Sequence, residues 1–485
     1  MQGSGRGETG NDAAAVTRRY FLRDCAMGLG TVALADLLQR EERAQGAERR
    51  TDPLAPKPPH FAPRAKRVIF LFMAGGPSQA DLLDYKPALA KYHNQAPPRE
   101  MVERLRLAFA QRNARLLAPQ YAFKKCGQSG AEISDAMPHL REIADDITII
   151  RSVHGDHFNH APAQIFFNTG SGLPGRPSMG SWILYGLGSQ ADDLPGFVVL
   201  SSGGGTSGGT ANFSSGFLPT HFAGVPFRSQ GDPIVDVRNP AGVDDTLQRA
   251  TIDVVRQLNE KRLQQVGDPQ IASRVAAYEM AFRMQRRAIE LMDYSKETSA
   301  TLEMYGAQPG KATFANQCLL ARRLVERGVR FVNVYLKGWD HHSNVKGGLK
   351  SMCGKSDRAA AALVKDLKQR GMLDDTLVVW AGEFGRTPIV EANATLGRKA
   401  GRDHHPFAFS IWMAGGGVKR GFTLGASDEL GFYCAEDPVH IHDIQATIMH
   451  LMGLDHKRVT FTYQGRSYRL TDVHGNIVHK LMEHA

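Results

Sequence analysis

Short runs of almost wholly apolar residues, each ending in a polar or glycine-rich cluster, limit the fold of this chain more than any other feature. They are "VIFLFMAGGPS" (68–78), "ITIIRSVHGDH" (147–157), "FVVLSSGGG" (197–205), "VRFVNVYLKGWDHH" (329–342), "TLVVWAGEFGRTP" (376–388) and "FAFSIWMAGGG" (407–417). A strand that does not alternate apolar with polar is covered on both faces, which requires helices on both sides and a mostly parallel sheet. Helical patterns fall between the runs, at 133–146, 176–188, 312–328, 357–375 and 440–454. A long charged periodic stretch, 245–300, reads as a helical insertion or cap. The expected fold class is α/β, a large mostly parallel sheet flanked by helices. Ligands of such sheets bind beyond the carboxyl ends of the strands, so "GGPS", "HGDHFNH", "GWDHHSN" and "GEFGRTP" are expected on one rim.

The 485 residues allow one large domain or two ordinary ones. The net charge of +10 comes from 59 basic and 49 acidic residues spread without a block, which is not the concentrated footprint of a nucleic-acid binder. A diffuse positive field favours anionic substrates. Five cysteines without a CxxC pair give no disulfide framework. No GxxxxGK[ST] phosphate loop is present.

"TRRYFLRDC" (17–25) followed by "AMGLGTVALADLL" (26–38) resembles a twin-arginine export signal. The apolar stretch is short and contains Asp36, which argues against a stable membrane span. The expected organisation is a signal region at 1–47, a proline-rich linker at 48–65 and a single α/β domain at 66–485. The twin-arginine machinery is the expected export partner, and the periplasm or another extracytoplasmic space the expected location.

Two D-H-H triplets carry the chemistry. In "GWDHHSN" (338–344), Asp340 and His342 are two apart, so extended backbone points them the same way. An acid and an imidazole suit zinc, manganese or iron, with Asn344 as a further oxygen; the alternative is a turn held by Asx hydrogen bonds. In "AGRDHHPF" (400–407), His404 or His405 completes the same site, with Asp403 as ligand or orienting acid. "AGEFGRTP" (381–388) puts Glu383 at a strand end and Arg386 in the following turn, either as an oxyanion clamp or as a partner of Glu383. "VHGDHFNHAP" (153–162) offers His154, Asp156, His157 and His160. Ser178 in "GRPSMGSW" (175–182) starts a helix, where free amides would favour a nucleophile or the hydroxyl would simply cap. Ser78 is a second candidate nucleophile, without a GxSxG elbow.

From "RRYFLRDCAMGLG" through "GGPSQADLLDYKP", "RPSMGSWILYGLG", "GWDHHSN", "GEFGRTP" and "GRDHHPF", nearly the whole chain resembles the domain family DUF1501, which is related to the alkaline phosphatase and sulfatase superfamily. The resemblance implies an alkaline phosphatase-like fold and a site for divalent metal: zinc, manganese or calcium. One ion would be held by Asp340, His342 and His404. A second would be held by an early acid, the nucleophile and an Asp–His pair. Here Glu383 stands for that acid and Phe384 stands where its histidine would be, while the early acid is displaced: none directly follows the strand in "GGPSQAD", though Asp81 and Asp84 come after it. Ser178 corresponds to the nucleophile by order along the chain. The implied activity is metal-dependent hydrolysis of phosphate or sulfate esters, with Ser178, Arg386 and Glu383 as catalytic groups. The substrate would be an anionic small-molecule or polysaccharide ester. The strict sulfatase signature C/S-x-P-x-R is absent. The alternative is an exported, non-catalytic metal-binding or surface-associated protein on the same fold.

Overall fold

The computed structural model describes residues 53–483, apart from 203–204, 229–230, 235–238, 240–241 and 394. The chain divides into two units, Met1–Asp52 and Pro53–Ala485. The twin-arginine motif and the expected signal region lie outside the described residues.

The apolar runs form the strands of one nine-stranded sheet. In chain order they are β1 (Arg67–Ala74), β2 (Ile147–His154), β3 (Phe197–Ser201), β4 (Val225–Phe227), β5 (Phe331–Lys337), β6 (Thr376–Ala381), β7 (Phe409–Ala414), β8 (Phe422–Leu424) and β9 (Val439–His440). Their spatial order is β8-β2-β7-β6-β1-β5-β3-β4, with β9 also pairing β2. Every pairing is parallel except those of β7, which is antiparallel to both β6 and β2.

Strand β1 shows why the runs lack alternation. Ile69, Leu71 and Met73 face one core, and Val68, Phe70 and Phe72 face the other; all are 0% exposed. The first core is roofed by α5 (Phe314–Glu326) and α6 (Val345–Gln369), and the second by α1 (His160–Thr169), α2 (Met179–Leu187) and α7 (Ile441–Leu451). The expected helical stretch at 245–300 contains α3 (Asp245–Val266) and α4 (Pro269–Met292). Helix α3 buries none of its residues, whereas α4 gives Met284, Ala288 and Leu291 to the first core. Among the described residues, no helix is long and apolar enough to cross a membrane.

Three expectations change. The segment 133–146 is not one helix: Ala131–Ser134 pairs with Phe123–Cys126 as a hairpin, and Pro138 then opens a single turn, Pro138–Arg141. Proline supplies no backbone donor and suits a helix start rather than its middle. The helix expected at 357–375 begins at Val345, because Asn344 caps it by accepting from the Gly347 amide at 3.2 Å. The proline-rich stretch expected as a linker is packed along the domain. Leu54 is buried, and the amides of Lys57, His60 and Arg64 donate to the carbonyls of Leu187, Gly453 and Leu451.

Two histidines buried in this fold predict an acid limit to its stability. Burial drives the pKa of His405 down to about 4 against a bond to the Phe432 carbonyl, and that of His442 to about 4 against one to Gly170. Between the ordinary imidazole value near 6.5 and pH 4, the unfolded chain takes up protons that the folded chain refuses. Their neutral burial is therefore tolerated in full above pH 6.5 and costs stability as pH falls, by at most about 3 kcal/mol for each histidine. Thermal unfolding at pH 7.5 and pH 5 should show a lower Tm at pH 5. His405→Gln keeps a donor for Phe432 and should narrow that gap.

Candidate metal centre

The carboxyl ends of β1, β2, β5 and β6 open onto one rim, and β7 reaches it with its amino end because it runs the other way. His404 is thereby placed before a strand, while Asp340, His342 and Glu383 follow one. The rim closes tightly at Gly75, which has φ +122°; a Cβ there would lie 2.5 Å from the Asp340 amide nitrogen. Only glycine takes that backbone without strain. The Gly75 amide is then free to donate to both oxygens of Glu383, at 3.0 and 3.1 Å.

Four side chains converge at this rim: His160, Asp340, His342 and His404 bring ligand atoms within 4.8 Å of one another. Asp340 Oδ2 lies 3.2 Å from His160 Nε2, and its Oδ1 lies 2.8 Å from His342 Nε2 and 3.3 Å from His404 Nε2. The Nε2 atoms of His342 and His404 are 3.0 Å apart. Each imidazole is gripped from behind through Nδ1: His160 by Glu383 at 2.7 Å, His342 by Glu391, and His404 by the Phe158 carbonyl at 2.8 Å. An acceptor at Nδ1 fixes the proton there and turns the Nε2 lone pair inward, the arrangement that metal-ligating histidines need. Three nitrogens and a carboxylate, each with an outer partner, fit a divalent transition ion. The Asp340 side chain is 40% exposed, so the cluster is open on that side.

Without a cation the cluster balances its charge with protons. Burial works against protonating His160, but its bonds to Asp340 and Glu383 carry the pKa up to about 9. His342 is raised in the same way, burial being outweighed by Asp340 and Glu391. Burial wins at His404, whose pKa is lowered. Burial alone would raise the Asp340 carboxyl, yet bonds from the three histidines and the Arg386 charge hold it far below the usual carboxylate range.

Residues 65–482 match the family described as "Protein of unknown function (DUF1501)". The chain belongs to the DUF1501 family. No curated protein matches it. Among solved structures it is similar to the PsFucS1 sulfatase from Pseudoalteromonas sp., at 11% identity and TM-score 0.34, over 81% of this chain and 68% of that one. It is also similar to the phosphonate monoester hydrolase SpPMH from Silicibacter pomeroyi, at 12% identity and TM-score 0.32, over 80% of this chain and 73% of that one. The lipoteichoic acid synthase LtaP from Listeria monocytogenes gives 11% identity and TM-score 0.32, over 83% and 76%.

Of the expected metal ligands, Asp340, His342 and His404 meet, and Glu383 does not join them. Glu383 is 1% exposed and spends its oxygens on Gly75, Gln164 and His160. In this arrangement it buttresses His160. Arg386 is also turned away from its expected role as an oxyanion clamp. Its guanidinium donates to the carbonyls of Gly75, Gly76 and Arg402 and to Asp340 Oδ1, and the residue is 1% exposed. Ser178 is 1% exposed; its oxygen caps α2 by accepting from the Ser181 amide and bonds the Ser181 hydroxyl at 2.9 Å. Ser78 bonds Asp81, which is paired with Arg402, and Asp84 is paired with Lys86. His341 turns toward Gly348, and His405 is buried against Phe432. Sequence reading singled out His160 only as one of four candidates and missed Glu391, which sits in the hairpin strand Glu391–Asn393 with no motif around it. A second group, His342, Glu391 and Asp403, also lies within 4.8 Å. Its acids are already engaged, Glu391 by Arg398 and Asp403 by three amides.

Two outcomes follow for metal binding. Bound zinc or manganese should be lost in His404→Ala, and Glu383→Gln should weaken affinity about 10- to 100-fold by loosening His160. His160 keeps its proton up to about pH 9 in the free protein, so binding at pH 7 must displace it. Affinity should therefore rise with pH between 7 and 9, and calorimetry in buffers of different ionisation enthalpy should register proton release.

Proposed function

We propose that this chain is a metal-dependent hydrolase of phosphate or sulfate esters. The observation that carries the reading is the inward convergence of three imidazole Nε2 atoms and the Asp340 carboxylate, with every Nδ1 held by an outer acceptor. A divalent ion held by His160, Asp340, His342 and His404 would supply Lewis acidity to an ester oxygen. Three nitrogen donors favour zinc or manganese over calcium, which prefers an all-oxygen shell.

The chain's own residues set the rest. Ser178 is buried in its capping bonds, so in this reading the attacking group is water. The oxygen of water bonds to phosphorus or sulfur and gives up a proton, the bond to the departing oxygen breaks, and that oxygen takes up a proton in turn, so none is gained or lost overall. Arg386 serves by fixing Asp340 rather than by touching substrate. Substrate approaches from the open side of Asp340. The diffuse net charge of +10 favours an anionic small-molecule or polysaccharide ester. Export by the twin-arginine route to the periplasm is part of the same reading and rests on "TRRYFLRDC".

Phe384 favours a second reading, a non-catalytic metal-binding protein. Its buried ring lies 4.7 Å from that of His404 and 5.1 Å from that of His160, filling one flank of the cluster with an apolar group. Nitrophenyl phosphate, phosphodiester and sulfate, each offered with zinc, manganese or calcium, separate the two. The hydrolase reading expects metal-dependent turnover that disappears in His404→Ala and survives in Ser178→Ala, which should lose only about 1 kcal/mol of stability as a helix cap. Stoichiometric metal with no turnover on any ester supports the second reading. Loss of kcat in a folded, metal-loaded Ser178→Ala would reject water as the attacking group.

A further inference from the structure

Phe109 lies against the ligand set, and its segment is anchored there by a buried acid. Asp403, 0% exposed, accepts from the amides of Phe109 at 2.7 Å and Ala110 at 2.8 Å through Oδ2, and from the His404 amide at 2.8 Å through Oδ1. One carboxylate thus fixes both a candidate ligand and the strap beside it. Pinned in this way, Phe109 sets its ring centroid 4.9 Å from that of His342 and 6.3 Å from that of His404, both nearly perpendicular. The Arg398 guanidinium lies 4.3 Å from the Phe109 centroid, and Arg398 is itself paired with Glu391, the acid behind His342. Yet the residue is 44% exposed, more than any other phenylalanine, tyrosine or tryptophan among the described residues.

A lone exposed phenylalanine needs no explanation. This one is held through its backbone by a buried carboxylate, stacked by a cation and set against two of the converging imidazoles. An aromatic ring fixed at the edge of a polar cluster, with part of its surface open to water, gains by being covered with another apolar face. Binding sites commonly join such a wall to a few converging polar groups.

We propose that Phe109 is a substrate-contacting wall of this site, and that the site selects phosphate or sulfate esters bearing a ring. The apolar face of the ring lies against Phe109, and the charged ester group faces Asp340, His342 and His404. Selection by turnover rests on the hydrolase reading; selection by binding does not. Aryl and sugar rings both offer such a face, and an alkyl ester does not.

The test uses the full-length, metal-loaded protein and its Phe109→Ala variant with nitrophenyl, glucose-6-yl and ethyl esters, each as phosphate and as sulfate. Alanine or tryptophan at 109 keeps the backbone amide that donates to Asp403, so metal content should be unchanged. For ring esters, Phe109→Ala should raise KM about tenfold with kcat within about twofold, the size of a lost ring contact. Ethyl esters should not respond, and Phe109→Trp should keep the wild-type preference. A response confined to nitrophenyl esters assigns an aryl ring, and one confined to glucose esters assigns a sugar. Equal loss on all three esters, or no change on any, overturns the proposal. If the wild type turns over none of them, the hydrolase reading fails. The Kd values for the same esters then replace KM: ring-dependent binding that Phe109→Ala abolishes sustains the wall, and its absence removes it.

Discussion

The site depends on where three imidazoles keep their protons. A neutral imidazole has one N–H and one lone pair, and an acceptor placed at one nitrogen decides which is which. Glu383, Glu391 and the Phe158 carbonyl take the Nδ1 positions of His160, His342 and His404, so the Nε2 atoms are left to face one another and Asp340. Two of those atoms are 3.0 Å apart, a separation at which two bare lone pairs repel. Positive charge must stand between them, as a proton or as a metal ion. The raised pKa of His342, beside the lowered one of His404 and the depressed one of Asp340, is the proton solution to that demand.

That geometry is held by acids and arginines out of water. Asp81, Glu383, Glu391 and Asp403 are each no more than 1% exposed, as are Arg386 and Arg402. Burying an ion without partners costs several kcal/mol, so such groups persist only where donors and acceptors are complete. Here they are complete in an ordered way. Arg402 takes Asp81 and the carbonyls of Thr387, Leu117 and Ala118. Arg386 ties the end of β1 to the segment before β7 and then to Asp340. The two arginines clamp together residues 75–81, 117–118, 340, 386–387 and 402, and the position of Asp340 is one product of that clamp.

The sheet was legible because a run such as "VIFLFMA" has no polar face to offer, and helices on both sides are its only cover. The metal motif was legible in part for a related reason. Asp340, His342 and His404 lie in the two D-H-H triplets, and both triplets fall at the rim. His160 was not separable from His154, Asp156 and His157 by sequence, because the choice depends on the start of α1 at His160 and on the packing of His157 against Phe166. Glu391 carries no local signal, since its role exists only once its hairpin folds beside His342. Arg386 shows the other limit: sequence supplies a guanidinium at the rim but not the three carbonyls that absorb its donors. The antiparallel direction of β7 was equally hidden, although it alone lets a motif that precedes a strand join motifs that follow strands.

The same contacts bear on how many ions such a site can hold. A second ion beside the first needs its own set of unengaged donors. On one flank the ring of Phe384 is packed against both His160 and His404, with no atom to ligate. Glu383 is committed to Gly75, Gln164 and His160, Asp81 to Arg402, and Asp84 to Lys86 and Ser427. On the other flank Glu391 is paired with Arg398, and Asp403 accepts three amides. Each acid that the two-ion pattern would draw on already neutralises a cation or satisfies buried N–H groups. Withdrawing one would leave those partners unpaired in a dry interior, a cost of about 1–3 kcal/mol for each neutral donor and more for a charge. In the proposed reading that balance favours one ion over two, with the surrounding acids spent on holding its ligands.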